Sequence, residues 1–370
     1  MSDPIKPSRL LLRLESEAAN AKTTLEADCK RAEIAIYWAR QGRLDDATRE
    51  VEEVRARYSK NSAVEISIRA NLAEALIEYF GNFGTPTIDG VQRAYALSVA
   101  AGHNSMRAVC AAWLAQLAYF KLDMRELARF AREALKYSTP SNYMARSRSS
   151  LVIAQALHLA GRPDLAKLWY SRSRLSATED GDDATISALM HNMAWLRMLG
   201  LRQAVLSGVG NSQLGKQALL SAESTVNLSE LTGDSSWYEL APILRAQILS
   251  LQDEAIEALG LYDKYLTEVN PPSRLQANLF ADKAWCHLRA GDGREAASNA
   301  RQALDSLTEQ TQLDDRAATH SRLSQVFAGL GNVAQQERHA GLARVAWSDL
   351  RSVQSLAIEL LSSLDAEELW

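Results

Sequence analysis

The sequence has few of the residues that interrupt helices. Among its 370 residues are only 8 prolines and 18 glycines, the two residue types least favourable inside a helix. Ala and Leu dominate an apolar fraction of 47%, and charged residues make up 23%, as in ordinary folded proteins. The composition therefore argues against disorder and predicts a helical chain, long enough for an extended array or for two domains.

Cysteines are also few. Cys29, Cys110 and Cys286 are far apart, odd in number, and in no CxxC or Cys/His arrangement. This argues against a disulfide framework and a thiolate metal site, and it favours three small buried side chains in a reducing cytosol.

Long hydrophobic runs are missing as well. The only apolar run within residues 1–15 is 10–12, which is too short for a signal peptide. The longest run, 108–120, is interrupted by Gln116 and falls short of the roughly 20 residues that span a bilayer. We therefore expect a cytoplasmic protein without membrane contact.

Signatures of catalysis are absent from the sequence. The six histidines form no HxxxH or HExxH motif, and GxSxG, the P-loop and a strand-borne GxGxxG do not occur. We therefore expect a protein that is not an enzyme and that carries no cofactor and no metal.

A repeated pattern is what the sequence does contain. An amphipathic segment leads to a tight turn with glycine, and a second segment places an alanine five residues after that glycine. In the first copy the pattern residues are Ala35, Trp38, Gly42, Ala47 and Val51. The four clearest copies occupy 34–51, 153–170, 284–300 and 323–343.

The turns of this pattern recur at a nearly constant spacing. They lie at positions 42, 84, 123, 161, about 207, 250, 291 and 331, in steps of about 40 residues. A period between roughly 20 and 50 residues is typical of solenoids. Small residues at Ala35, Ala154 and Ala284, and at Ala47, Ala166 and Ala296, would let the two helices of each pair approach closely.

At these positions the sequence resembles the tetratricopeptide repeat family, whose helix–turn–helix unit carries an L-G-x-x-Y element followed by A-x-x-x-F. The period is longer than the standard 34 residues, the final proline is mostly missing, and Gln336 replaces the second-helix alanine in the last copy. The long period is similar to that of bacterial regulatory arrays. The resemblance implies an all-α solenoid of about eight antiparallel helix pairs in a right-handed superhelix.

The organisation expected from the repeat has three parts: an N-terminal segment over 1–24, the solenoid over 25–342, and one long capping helix over 343–370. Two stretches interrupt the regular spacing, a loop over 82–90 and an irregular insertion over 201–213. Either could contact a partner or be a tolerated surface loop.

In tetratricopeptide proteins, ligands usually lie in the groove lined by the first helix of each pair. The resemblance therefore implies partner-binding residues beside the packing positions, although the same side chains could instead pack between neighbouring pairs. The residues are Arg40, Arg148, Gln155, His158, Asn192, Asn278, Trp285 and Arg289.

Basic residues are concentrated in one part of the chain. Residues 124–175 contain ten basic and three acidic side chains with interleaved aromatics, in a chain of net charge −4. The zone includes Arg125, Arg129, Arg132, Arg146, Arg172 and Arg174. It could be a solvated face or could attract an acidic protein segment, whereas nucleic acid is disfavoured because no nucleic-acid motif accompanies it.

Two functions fit these features. The first is a non-catalytic scaffold or adaptor that binds a protein or peptide partner through the groove. The alternative is a sensory or regulatory protein whose groove binds a peptide or small ligand and changes curvature, because residues from 322 onward look similar to tetratricopeptide sensor regions of bacterial signalling proteins.

Overall fold

The computed structural model of the protein describes residues 7–81, 88–209, 212–232, 240–269, 271, 273–309 and 311–364. Within these ranges the chain forms seventeen α-helices and no β-strand. The helices are α1 (Arg9–Ala19), α2 (Thr24–Arg40), α3 (Leu44–Arg57), α4 (Val64–Gly81), α5 (Ile88–Ala100), α6 (Asn104–Phe120), α7 (Met124–Tyr137), α8 (Tyr143–Leu159), α9 (Pro163–Asp180), α10 (Asp183–Leu206), α11 (Ser212–Thr232), α12 (Ala241–Leu251), α13 (Ala255–Val269), α14 (Ser273–Arg289), α15 (Gly293–Asp305), α16 (Leu313–Gly329) and α17 (Val333–Leu361).

After α1, the helices pack as eight consecutive pairs, from α2 with α3 to α16 with α17. The even-numbered helix of each pair also contacts the even-numbered helix of the next pair, so these helices form a continuous inner layer. The predicted all-α solenoid of helix pairs is therefore confirmed.

The turns within the pairs follow the predicted spacing. Left-handed backbone occurs at Gly42, Gly161, Gly208, Gly291 and Gly331, with φ between 73° and 84°. Leu122 and Asp253 adopt the same conformation at the turns predicted near 123 and 250. The turn predicted at 84 lies outside the described residues.

The alanines of the repeat have the predicted role. Ala35, Ala154 and Ala284 on first helices, and Ala47, Ala166 and Ala296 on second helices, have no exposed surface. A side chain this small lets the two helix backbones approach closely, and neighbouring pairs then cover the remaining apolar surface.

The stretch 201–213 differs from the predicted irregular insertion. Residues 201–206 continue α10, which becomes 24 residues long, and Leu201 and Arg202 are buried. The repeat is therefore lengthened by helix, because these residues include good helix formers with apolar partners to cover them. At the other end, the second helix of the last pair and the predicted capping segment form one continuous helix, α17.

The array curls back on itself. Helix α10 contacts both α2 and α16, and the last turns of α17 contact α7 and α8. Gln354 Nε2 donates to the carbonyl oxygen of Leu159 at 2.8 Å, and Arg132 donates to the carbonyl oxygen of Leu360 at 3.0 Å. Ala357 and Leu361 are buried in the same apolar cluster as α6 and α8.

Curling places α6 and α8 at the centre of the molecule. Every residue over 108–118 and over 145–157 is buried. A helix buried on all sides carries its polar side chains into the interior, and in α8 these include Arg146, Arg148 and Gln155. No helix in the described ranges has the length and apolar character to cross a membrane.

Helix α1 docks where α9 turns into α10. Leu10, Leu11 and Leu14 pack against α2 and Ala184, and the Leu10 N–H donates to the carbonyl oxygen of Gly181 at 3.1 Å. Gly181 has a φ of 72°, and a Cβ there would lie 2.5 Å from Arg9 Cβ.

We predict that Gly181→Ala destabilises the protein by about 1–3 kcal/mol more than Gly161→Ala, because only the former forces α1 away. Both positions have left-handed backbone, but a Cβ at Gly161 meets open space, so the backbone penalty cancels in the comparison. Urea unfolding measures the difference, and hydrogen exchange over residues 9–19 should rise only in Gly181→Ala. Equal effects of the two substitutions would contradict the docking contact.

Candidate functional site

The inner layer of helices borders a cavity of about 90 Å³. Its walls come from α4, α6, α8, α10 and α14, from the residue before α12 and from the start of α16, so residues far apart in sequence meet there. The lining residues are Tyr79, Phe80, Gln116, Tyr119, Phe120, Leu122, Arg148, Gln155, Leu159, Ala188, His191, Asn192, Trp195, Leu196, Leu199, Leu240, Leu275, Gln312 and Asp314. We call this the inner cavity.

Arg148 is the cation of the inner cavity. Its side chain is 6% exposed and its guanidinium carbon lies 4.2 Å from the centre of the Trp113 ring. Burial, and then repulsion by Arg40, lowers the pKa of Arg148 to about 10. Among the described residues no carboxylate lies within ion-pair distance of it. At neutral pH this position therefore holds a largely desolvated positive charge without an ion-pair partner in the described part of the chain.

The nearby carboxylate that could have neutralised Arg148 has another partner. Asp182 is fully buried and accepts hydrogen bonds from Arg40, which also donates to Thr185 Oγ1 at 2.8 Å. This ion pair joins α2 to α10. Burial alone would raise the pKa of Asp182. The pKa is lowered nevertheless, because the charge and hydrogen bonds of Arg40 stabilise the carboxylate.

Amide side chains lie beside Arg148. Gln116 and Gln155 are 2% and 3% exposed, and the Oε1 atom of each accepts no hydrogen bond within the described part of the chain. Asn192 is half-buried on the same wall. Buried carbonyl oxygens without a donor are costly, so these positions are suited to a ligand that brings N–H groups.

Aromatic rings form the apolar part of the wall. Tyr79 and Phe80 meet Trp113 edge-on with ring centres 5.9 and 6.1 Å apart, and Tyr79 lies 5.8 Å from Phe120. Gln312 Nε2, from the start of α16, donates to the carbonyl oxygen of Phe120 at 3.1 Å. One side of the cavity is therefore bordered by a contact between residues that are 192 positions apart.

The wall carries groups that can bind a ligand. His191 is 5% exposed, and burial lowers its pKa to about 4, so the ring is neutral at pH 7. Within the described residues no cluster of three or more His, Cys, Asp or Glu side chains could hold a metal ion. A cation, amides and aromatic faces together match a carboxylate, peptide groups and apolar side chains.

Of the groove residues predicted from the sequence, Arg148, Gln155 and Asn192 line the inner cavity. His158 lies in a neighbouring cleft, where its Nδ1 is 3.1 Å from Tyr170 Oη. Arg40 is the buried partner of Asp182. Their contact with a ligand stays a prediction.

The remaining three predicted groove residues lie on α14, away from the inner cavity. Asn278 is buried and donates to Asp315 Oδ1 at 3.0 Å. Arg289 forms an ion pair with Asp253. The Trp285 ring is half-buried, with the guanidinium carbons of Arg322 and Arg289 at 5.0 and 5.7 Å from its centre.

The basic zone is distributed over several environments. Arg125 is exposed on α7, Arg129 pairs with Glu126, and Arg132 contacts the end of α17. Arg146 is buried, and its pKa is lowered by burial and by the neighbouring Arg172. The Arg172 guanidinium lies 5.3 Å from the Trp169 ring centre, and Arg174 lines the cleft that contains His158.

Several lining residues were not predicted as functional. Gln116 had a sequence signal, since it interrupts the longest apolar run. Tyr79, Phe120 and Trp195 had none, because aromatic residues at helical spacing are usually core residues. Gln312 and Asp314 reach the cavity only because the array curls, and no local sequence pattern predicts the curl.

No protein-family model matches the chain, and no curated protein matches its sequence significantly. Among solved structures, the fold is similar to the crystal structure of a Rap protein complexed with competence and sporulation factor. The TM-score is 0.55 with 12% sequence identity, and the match covers 89% of this chain and 99% of that chain. At this identity the likeness shows the fold, a helical-repeat solenoid.

We predict that Arg148→Met raises the free energy of unfolding by about 1–3 kcal/mol, because Met keeps the side-chain length and removes a buried charge without an anionic partner. Arg40→Met is the matched control. It leaves Asp182 charged and unpaired in the core, so it should cost about 3–5 kcal/mol. Urea unfolding at pH 7 compares them, and a similar loss of stability in both variants would contradict the role given to Arg148.

We also predict that the free energy of unfolding falls as the pH drops from 6.5 towards 4. The unfolded chain binds a proton at His191 with its ordinary pKa near 6.5, while the folded chain binds it only near 4. Between pH 7 and pH 5, His191 alone should account for about 2 kcal/mol of this loss. Urea unfolding of His191→Gln at both pH values should show a correspondingly smaller change; an unchanged pH dependence would count against a neutral, buried His191.

Proposed function

We propose that this protein is a non-catalytic, tetratricopeptide-type regulatory protein whose inner cavity, of about 90 Å³, binds the carboxylate end of a short peptide. The observation that carries the proposal is Arg148, a buried cation without a carboxylate partner among the described residues, on a wall built from most of the inner helices. The family assignment rests on the glycine and alanine spacing of the repeats.

Each group of the inner cavity has a counterpart in a peptide. The planar guanidinium of Arg148 suits a carboxylate, to which it can donate two parallel hydrogen bonds. Gln116 and Gln155 offer carbonyl oxygens to peptide N–H groups, and Asn192 offers an amide. The rings of Phe80 and Trp195 can cover an apolar side chain.

The narrow interior favours this ligand-binding role over a scaffold for folded partners. The start of α16 contacts the end of α6, and α17 packs on α7 and α8, so the inner surface narrows to a cavity of about 90 Å³. A folded domain cannot enter such a cavity, whereas an extended chain end can. A ligand that touches both α8 and the start of α16 would also stabilise the curled array relative to a more open one. Its binding would therefore shift the curvature of the array.

Two further observations support the proposal. A Rap protein with the same type of fold crystallised in complex with competence and sporulation factor, so this architecture accommodates a bound factor. Cys29, Cys110 and Cys286 are all buried free thiols, which suits the cytoplasmic location proposed with this function.

A direct test uses a pentapeptide library screened by thermal shift, since a ligand that binds the folded state raises its apparent stability. Each binding peptide is then synthesised with a free and with an amidated C-terminus. We expect the free acid to bind about 10–100-fold more tightly, the range of a charge-assisted hydrogen bond. Isothermal titration calorimetry measures both dissociation constants.

The control variants separate this site from general electrostatics. Arg148→Gln should remove the preference for the free carboxylate, while Arg125→Gln, an equal change of charge on the exposed face of α7, should leave it intact. If no pentapeptide binds, or if both variants behave alike, the carboxylate site is wrong. Binding of a folded partner that is insensitive to Arg148→Gln would favour the scaffold function instead.

A further inference from the structure

A second, larger cleft lies beside the inner cavity. It is formed by α9, α10, the start of α11 and α17, and it measures about 870 Å³, within the usual range of small-molecule sites. The cleft and the inner cavity share a wall that contains Leu159, Leu196 and Leu199. We call this space the outer cleft.

Three exposed cations line the outer cleft. Lys167 and Arg174 are two turns apart on the same face of α9, and Arg197 projects from α10. None of the three forms an ion pair with a described carboxylate. Arg197 donates a hydrogen bond to Ser221 Oγ, a neutral partner. Their positive charge therefore faces the cleft without being neutralised.

A fourth cation is buried in the floor. Arg202 is 2% exposed and donates from Nη2 to Asp282 Oδ2 at 2.9 Å. Asp282 is shared with Arg322, which approaches its other oxygen at 3.1 Å. One carboxylate thus serves two guanidinium groups, and the Nε and Nη1 atoms of Arg202 have no hydrogen-bond acceptor in the described structure.

The rest of the lining is mainly apolar. Leu189, Leu196 and Leu350 are buried in the walls. Trp347 of α17 is held in place because its indole N–H donates to Ser321 Oγ at 2.9 Å. The cleft therefore combines apolar walls with four cations, and among the described residues its one lining carboxylate is Asp314, in the wall shared with the inner cavity.

The pKa of His158, which also lines the outer cleft, reflects the same positive environment. Burial and then the charge of Arg197 lower the pKa of His158 to about 4. At neutral pH His158 is an uncharged ring beside Tyr170, so it can pack against a ligand without adding charge.

We propose that the outer cleft is a second binding site, for a small amphipathic anion with a carboxylate or phosphate head and an apolar body. A purely inorganic anion would leave the leucine and tryptophan surface in contact with water. A neutral apolar molecule would desolvate the exposed Arg174 and Arg197 without neutralising them. Only a molecule with both parts satisfies the whole lining.

Because Trp347, Leu350 and Gln354 of α17 line one side and α9 and α10 the other, the bound molecule would bridge the end of the array to its middle. This site is independent of the peptide proposed for the inner cavity, which is anchored by Arg148.

Isothermal titration calorimetry with decanoate, decanol and inorganic phosphate tests the proposal on the full chain. Decanoate should bind with a 1:1 stoichiometry. Decanol should bind at least about 10-fold more weakly, as expected for the loss of a charge-assisted hydrogen bond, and phosphate alone should not bind detectably. 8-Anilinonaphthalene-1-sulfonate is the second probe, and decanoate should displace it.

Variants locate the site. Arg174→Gln combined with Arg197→Gln should weaken decanoate binding about 10-fold or more, and Trp347→Ala should weaken both probes. Arg125→Gln, on the exposed face of α7 and outside the outer cleft, should leave decanoate binding unchanged, and circular dichroism checks that every variant is folded. Equal binding of decanol and decanoate, no binding of either anionic probe, or insensitivity to the Arg174/Arg197 double variant would each overturn the proposal.

Discussion

The structure depends on one constraint, which is that no helix pair of the array can cover its own apolar sides. Each pair is packed between its neighbours, and the curl of the array lets α17 cover α7 and α8 as well. Helices α6 and α8 are enclosed as a result. The buried ion pair of Arg40 with Asp182 fixes one closure point, where residues 142 positions apart meet. Removing either partner would leave a charge in the core, so the pair holds α2 against α10.

Because α8 is enclosed, its polar side chains are buried, and a polar group there is costly without a partner. On a surface helix the same side chains would be solvated by water. Three buried arginines, Arg40, Arg202 and Arg322, have carboxylate partners and connect helices. Arg148 differs from them, because it faces a cavity and forms no ion pair with a described carboxylate. A buried cation of this kind favours a ligand with an anionic group.

Helix α10 links these features. It contributes to the walls of the inner cavity and of the outer cleft, and it contacts both α2 and α16. The two proposed sites therefore share α10 as a common wall, although different residues anchor their ligands.

The sequence by itself determined the helix pairs, their turns and their packing alanines, because these follow from spacing along a single helix and from the conformations that Gly42 or Gly291 can adopt. It also indicated Arg148, Gln155 and Asn192, since helical register places them on the inner layer. Tertiary structure decided what those residues face. Three features depend on the curvature of the array: the pairing of Arg40 with Asp182, the burial of α8, and the approach of Gln312 and Trp347 to the two sites. Curvature sums small rotations over eight helix pairs, so no local stretch of sequence predicts it.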